Sequence, residues 1–207
     1  MRIKSLATLT FGLLLISLGH AADFTEGDYY QVLKGEVTTH KEVREYFSFY
    51  CPHCFNKEPL IKALQAELPA DVSFVKNHIS GMPHRKIEIE NDLTKAAITA
   101  NIMDANEQII PAIFNYIHLS HADFDNVKDI HNLVVLSGVD ADKFDQIFNS
   151  PAVEKAYTSI NQHTDALREQ GYSSVPTVVI NGKYKVDAKN IHTIEEYIQL
   201  VLFLLDK

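Results

Sequence analysis

VREYFSFYCPHCFNKEPLIKALQAELPADVSFVKNHI, residues 43–79, reads as a strand, a helix and a second strand. In Val43–Tyr50 the odd positions are Val43, Glu45, Phe47 and Phe49, and the even ones Arg44, Tyr46, Ser48 and Tyr50. Both faces are largely apolar, as in a central strand covered on both sides. After Pro52 the period changes. Phe55, Leu60, Ile61, Leu64 and Leu68 recur at helical spacing until Pro69. Pro52 suits the first helical turn, where its missing N–H is not needed, whereas Pro59 lies inside and is expected to kink the helix. Val72–Ile79 is the next strand, closed by Gly81, so the unit predicts a parallel strand pair.

Upstream, Tyr29–Lys34 is a short strand ended by Gly35. Downstream, residues 83–149 hold no convincing strand. Asp92–Met103, Glu107–Leu119, Asn126–Leu136 and Asp140–Phe148 are amphipathic, with Asp140 and Ser150 as N-caps and Gly138 as punctuation. A further helix runs from about Ala152 to Gln170, with Pro151 at its start and Gly171 past its end. Val175–Ile180 and Lys183–Val186 flank Asn181-Gly182, a strong hairpin signal, and Thr193–Leu205 is a final helix. The order predicts an α/β, thioredoxin-like fold interrupted by an all-helical insertion. Residues 22–81 and 155–207 would form the thioredoxin-like part and residues 82–154 the inserted helical domain.

The N-terminus reads as a secretory signal peptide. Arg2 and Lys4 precede an apolar run, Leu6–Leu18, too short to span a bilayer comfortably, and Gly19-His20-Ala21 ends in a small-x-small pattern. Cleavage after Ala21 of the 207-residue chain would leave 186 residues and move the net charge from −8 to −10. So acidic a chain is a poor partner for nucleic acid or an anionic membrane.

Cys51 and Cys54 are the two cysteines of the chain. A disulfide between them closes a loop too short to add much stability, so the pair points to chemistry rather than scaffolding. Export to an oxidising compartment makes a disulfide form expected. Cys51 sits at the strand-to-helix junction, where unpaired N–H groups and the helix dipole favour a thiolate. His53 between the cysteines can add positive charge or a hydrogen bond. Whatever stabilises the thiolate stabilises the reduced form and makes the disulfide a stronger oxidant. Cys51 is therefore the attacked sulfur and Cys54, one turn further in, the resolving thiol. A zinc site would need about four ligands; there is no second CxxC, and His118, His121 and His131 read as scattered surface histidines. No metal is assigned.

Phe47-Ser48-Phe49-Tyr50-Cys51-Pro52-His53-Cys54 resembles the active-site segment of the DsbA family, periplasmic thiol oxidases of Gram-negative bacteria. Ser174-Val175-Pro176-Thr177, followed by Asn181-Gly182-Lys183-Tyr184, resembles that family's second signature, and the likeness extends over essentially the whole exported chain. The resemblance implies a cis Val175–Pro176 bond beside the disulfide, with Val175 backbone available to an extended substrate; a trans proline opening an edge strand is the alternative. Glu45 and Lys76 are charges on the apolar faces of the strands Val43–Tyr50 and Val72–Ile79, beside Val43, Phe47 and Phe49 and beside Val72 and Phe74, and the resemblance also matches them to an acid and a lysine that could relay protons to Cys54. The plain alternative is that both side chains reach water at strand ends. The family's tryptophans are absent, with Ala97 and Phe148 at two such places. Gly81-Met82-Pro83-His84 and Ala188-Lys189 depart from the common groove-lining loops.

These readings make the chain an enzyme of disulfide formation, with catalytic residues Cys51, Cys54, His53, Pro52 and Pro176 and a substrate surface at His53, Val175 and Pro176. It would pass its disulfide to reduced, unfolded or partly folded exported proteins. No organic cofactor is expected. The resemblance implies a DsbB-type, quinone-linked membrane reoxidant, and the short segment before the first strand argues for a monomer in the periplasm. A reductase or isomerase of the same superfamily is the enzymatic alternative. A thioredoxin-like metal carrier or assembly factor is the non-catalytic one.

Overall fold

The structure, a computed structural model, describes residues 24–207. The signal-peptide reading falls outside them. Among the described residues, no helix is long and apolar enough to cross a membrane.

Five strands form one sheet: β1 (Tyr30–Val32), β2 (Glu42–Phe47), β3 (Ser73–His78), β4 (Thr177–Ile180) and β5 (Tyr184–Val186), in the spatial order β1-β5-β4-β2-β3. Every residue of β2 is buried, as its two apolar faces require. β2 runs parallel to β3, with Glu45 opposite Lys76 and Phe47 opposite His78. It runs antiparallel to β4, with Val43 opposite Ile180 and Tyr46 opposite Thr177.

The β2–β3 crossover is α1 (Pro52–Glu67), which starts with Pro52 in its first turn and continues through the exposed Pro59. Then come α2 (Ile87–Ile102), α3 (Asn106–His118), α4 (Val127–Leu136), α5 (Ala141–Phe148), α6 (Pro151–Glu169) and, after the hairpin, α7 (Ile194–Leu205). Asp140 and Ser150 cap their helices as the sequence predicts, and Asn126 and Thr193 are caps that it did not single out. Asn126, Asp140, Ser150 and Thr193 side chains accept N–H groups of the first turns of α4, α5, α6 and α7, contributing about 1 kcal/mol each.

α1 and α7 cover one face of the sheet, where Val43, Val178 and Ile180 pack against Ile61, Leu64, Leu200 and Leu204. α6 reaches the other face through Leu167, which packs with Tyr46, Ile79 and Val179. The helices between β3 and α6 close over the end of β2. Phe47, Phe49 and Cys54 share one apolar cluster with Leu93 of α2, Ile109, Ile113 and Phe114 of α3, and Ile130 of α4. The expected boundary at 154/155 falls inside α6, a single helix that packs on α2 through Val153 and Ile160 and on the sheet through Leu167.

The β4–β5 turn shows why Asn-Gly stands there. Asn181 and Gly182 have φ of 52° and 67°, and Lys183 N–H donates to Ile180 O at 3.0 Å. A Cβ on Gly182 would come within 3.2 Å of Thr38 Cγ2. The buried Asn181 side chain accepts Glu42 N–H at 3.1 Å and donates to Leu204 O and Leu205 O. One residue thus shapes the turn, joins it to β2 and satisfies carbonyls left open at the end of α7.

Candidate active site

β2 ends at Phe47, and the chain turns through Ser48, Phe49 and Tyr50 into α1. Cys51 is the N-cap of that helix, with extended φ and ψ of −90° and 112°. Its N–H donates to Ser48 O at 3.1 Å, and its Sγ accepts Cys54 N–H at 3.3 Å. The sulfur thus stands where a capping oxygen usually stands, at the positive end of the helix dipole, sharing the Cys54 N–H with Cys51 O at 3.0 Å. As a thiol it also donates to Val175 O at 3.6 Å. Cys51 is 4 % exposed and Cys54 fully enclosed, so an incoming sulfur meets Cys51 first. Burial pushes the Cys54 thiol up, and its hydrogen bond with Cys51 adds to that.

The predicted residues converge. Pro52 and His53 are exposed on the first turn of α1. The Val175–Pro176 bond is cis, as the resemblance implies, and both residues are half-buried beside Cys51. A cleft of about 170 Å³ borders Pro176 between α1 and the β4–β5 hairpin, with Lys57, Asp187 and Ala188 on its walls.

Glu45 and Lys76 face each other beneath this turn. Lys76 Nζ donates to Glu45 Oε2 at 2.8 Å and to Glu58 Oε1 at 2.7 Å. Glu45 is fully buried, and its Oε1 has no partner. Burial raises the Glu45 carboxyl above the usual carboxylate range against the pull of Lys76. Burial also opposes the charge on Lys76, but the carboxylates of Glu45 and Glu58 outweigh it and raise its pKa. One ammonium serves two carboxylates, so this cluster readily carries an extra proton. Between α1 and α3 a cavity of about 490 Å³ opens onto Lys76 and Glu58.

Sequence reasoning missed Glu58, although a signal existed. Cys54, Glu58 and Ile61 are spaced four and three residues apart, which puts a charge on the buried stripe of α1. His118 needs correction, because it is not a surface histidine. It ends α3, lies half-buried and stacks on Phe55 with ring centroids 4.9 Å apart. Because a carbonyl only accepts, its Nε2 carries a proton and donates to Phe49 O at 2.8 Å. His131 pairs with Asp145, and among the described residues no three His, Cys, Asp or Glu side chains are grouped to hold a metal.

A second unforeseen cluster adjoins Cys51. The Tyr50 hydroxyl donates to Asp123 Oδ1 at 2.6 Å, and Arg85 Nη1 donates to Asp123 Oδ2 at 2.5 Å. The guanidinium lies 4.1 Å from the Tyr50 ring centroid. Nothing local marks Arg85 and Asp123 as partners, since 38 residues separate them.

Residues 42–199 match the family model described as a DSBA-like thioredoxin domain. The chain is 29% identical to the thiol:disulfide interchange protein DsbA of Dickeya dadantii over 99% of this chain and all of that one. It is 30% identical to the Pseudomonas aeruginosa protein of the same name, over 97% and 93% of the two chains. Among solved structures, a Proteus mirabilis DsbA variant with a non-covalently bound peptide superposes with a TM-score of 0.77 at 27% identity, covering 90% of this chain and 100% of that one.

Proposed function

Since the chain belongs to the DsbA-like thioredoxin-domain family, we propose that its Cys51–Cys54 pair performs the family's chemistry on exported proteins. The chain is a protein thiol:disulfide oxidoreductase. In the oxidised enzyme a substrate thiolate attacks Cys51 Sγ, the Cys51–Cys54 bond breaks, and Cys54 leaves as a thiolate. A second substrate thiolate then attacks the substrate sulfur of the mixed disulfide and releases Cys51 as a thiolate. The substrate loses two electrons and gains a disulfide; the enzyme gains both electrons.

The observation that carries this reading is the sulfur acting as helix cap. Cys51 Sγ already faces Cys54 N–H, so negative charge developing on it meets a donor in place. Cys54 has the opposite role. Its raised pKa makes it take up a proton soon after leaving, which keeps it from reattacking the mixed disulfide. We assign the supply of that proton to Glu45, Lys76 and Glu58, with the cavity between α1 and α3 as their opening to solvent. An extended substrate would pair with Val175 beside Pro176 and pass His53. We assign the periplasm as the working compartment, reduced exported proteins as substrates, a quinone-linked membrane protein as reoxidant, and a monomer as the working form.

The test is the redox equilibrium of the pair against glutathione, read by thiol trapping because the chain has no tryptophan. A strongly oxidising member of this family is known at about −120 mV and thioredoxin at about −270 mV. A value in the upper half of that interval is expected. One near the lower end would make the protein a reductase.

A further inference from the structure

We infer that Arg85 is a specificity-determining residue, presenting a guanidinium edge beside Cys51 that favours substrates carrying a carboxylate next to the reacting cysteine. The inference rests on the thiol-exchange reading of the same site. Tyr50 immediately precedes Cys51 in the chain, yet its large ring is only 8 % exposed. Arg85 lies over that ring, 4.1 Å from its centroid, and so covers an aromatic platform with a cation.

The placement is fixed from three sides. Glu90 of α2 accepts Gly81 N–H at 2.7 Å and Met82 N–H at 3.1 Å, which anchors the loop leading to Arg85. Arg85 N–H closes a turn onto Met82 O at 3.2 Å. Asp123, from the loop after α3, then ties Arg85 to the Tyr50 hydroxyl. Asp123 binds through one nitrogen, Nη1, so Nε and Nη2 remain to meet a substrate carbonyl or carboxylate. Because Tyr50 directly precedes Cys51, a residue flanking the substrate cysteine joined to Cys51 is placed to reach this edge. In place of a bare tyrosine face, that residue meets a partly neutralised cation.

The experiment uses the oxidised full-length protein and a set of dicysteine peptides that differ only in the residues flanking the cysteines: Asp, Phe or Lys. Second-order rate constants for peptide oxidation are compared among wild type, Arg85→Ala, Arg85→Lys and Asp123→Asn. The flanking residue's own effect on peptide thiol reactivity cancels in the comparison between proteins. The Asp-to-Phe rate ratio is expected to fall roughly three- to five-fold in Arg85→Ala, the scale of one exposed charge interaction. Arg85→Lys should keep most of the wild-type ratio. Asp123→Asn should raise the ratio, because it removes the charge competing for Arg85. If Asp123→Asn lowers the ratio as Arg85→Ala does, the cluster merely holds the loop and the inference fails. Equal ratios in all four proteins overturn it as well, while leaving the oxidoreductase reading intact. Failure to oxidise any of the peptides overturns both.

Discussion

His78 stands next to the redox turn without taking part in it. Its Nδ1 lies 2.7 Å from Thr94 Oγ1, and the Thr94 hydroxyl is already spent on Glu90 O at 2.9 Å. Nδ1 must therefore carry the ring's proton, leaving Nε2 as a bare, buried acceptor without a partner. The ring packs on Phe49 and Phe47, with centroids 5.0 and 5.4 Å away. Burial lowers its pKa from the ordinary 6.5 to about 3. Below pH 6.5 the unfolded chain binds a proton that the folded chain refuses. This residue's contribution to stability is therefore complete above pH 6.5 and lost as pH falls towards 3, by about 1.4 kcal/mol per unit. His78→Asn, which keeps a donor for Thr94, should remove about 3 kcal/mol of the stability difference between pH 7 and pH 4.5 in urea unfolding. The same pH dependence in both proteins would show that His78 charges freely in the fold.

At the scale of elements, the Asn181-Gly182 turn carries more than a hairpin. Its side-chain bonds reach β2 and the last carbonyls of α7, so one side chain ties the hairpin to both. Two substitutions separate the backbone role from the side-chain role. Asn181→Gly accepts the positive φ but loses the bonds and should cost about 2 kcal/mol. Asn181→Ala loses the bonds and also meets the left-handed strain, roughly 1–2 kcal/mol more. Denaturant midpoints in the order wild type, Gly, Ala are expected; Ala equal to Gly would mean that the turn relaxes away from its positive φ.

For the whole molecule, what could be read in advance followed a physical division. Period-2 and period-3.6 patterns are local, so β2, α1, β3 and the hairpin emerged close to their observed limits. Caps such as Asp140 and Ser150 did too, because capping is a contact three residues long. Glu45 and Lys76 were legible as a pair because each broke an apolar strand face. Arg85, Asp123 and His118 broke no pattern. Their roles come from loops and a helix end that only tertiary folding brings to the redox turn. The division into two parts was drawn from the alternation of strand and helix signals. Packing does not follow that line, since the apolar cluster under Cys54 is built from both sides of it. The redox pair therefore rests on the inserted helices as much as on the sheet.

Cys51 as the cap of α1 makes the fold an energy store. Joining its sulfur to another sulfur takes away the charge that a Cys51 thiolate would set against Cys54 N–H, and so gives α1 a weaker start. On this account the oxidised protein is the less stable partner of the couple, and passing the disulfide onward restores the full cap. Redox potential and conformational stability become one quantity measured twice. Each 30 mV by which the folded pair is more oxidising than the same cysteines in the unfolded chain equals about 1.4 kcal/mol by which the reduced protein outlasts the oxidised one. Calorimetric melting of the two forms should place the reduced protein higher. An oxidised form that melts at the same temperature would mean that the driving force for disulfide donation does not come from this fold.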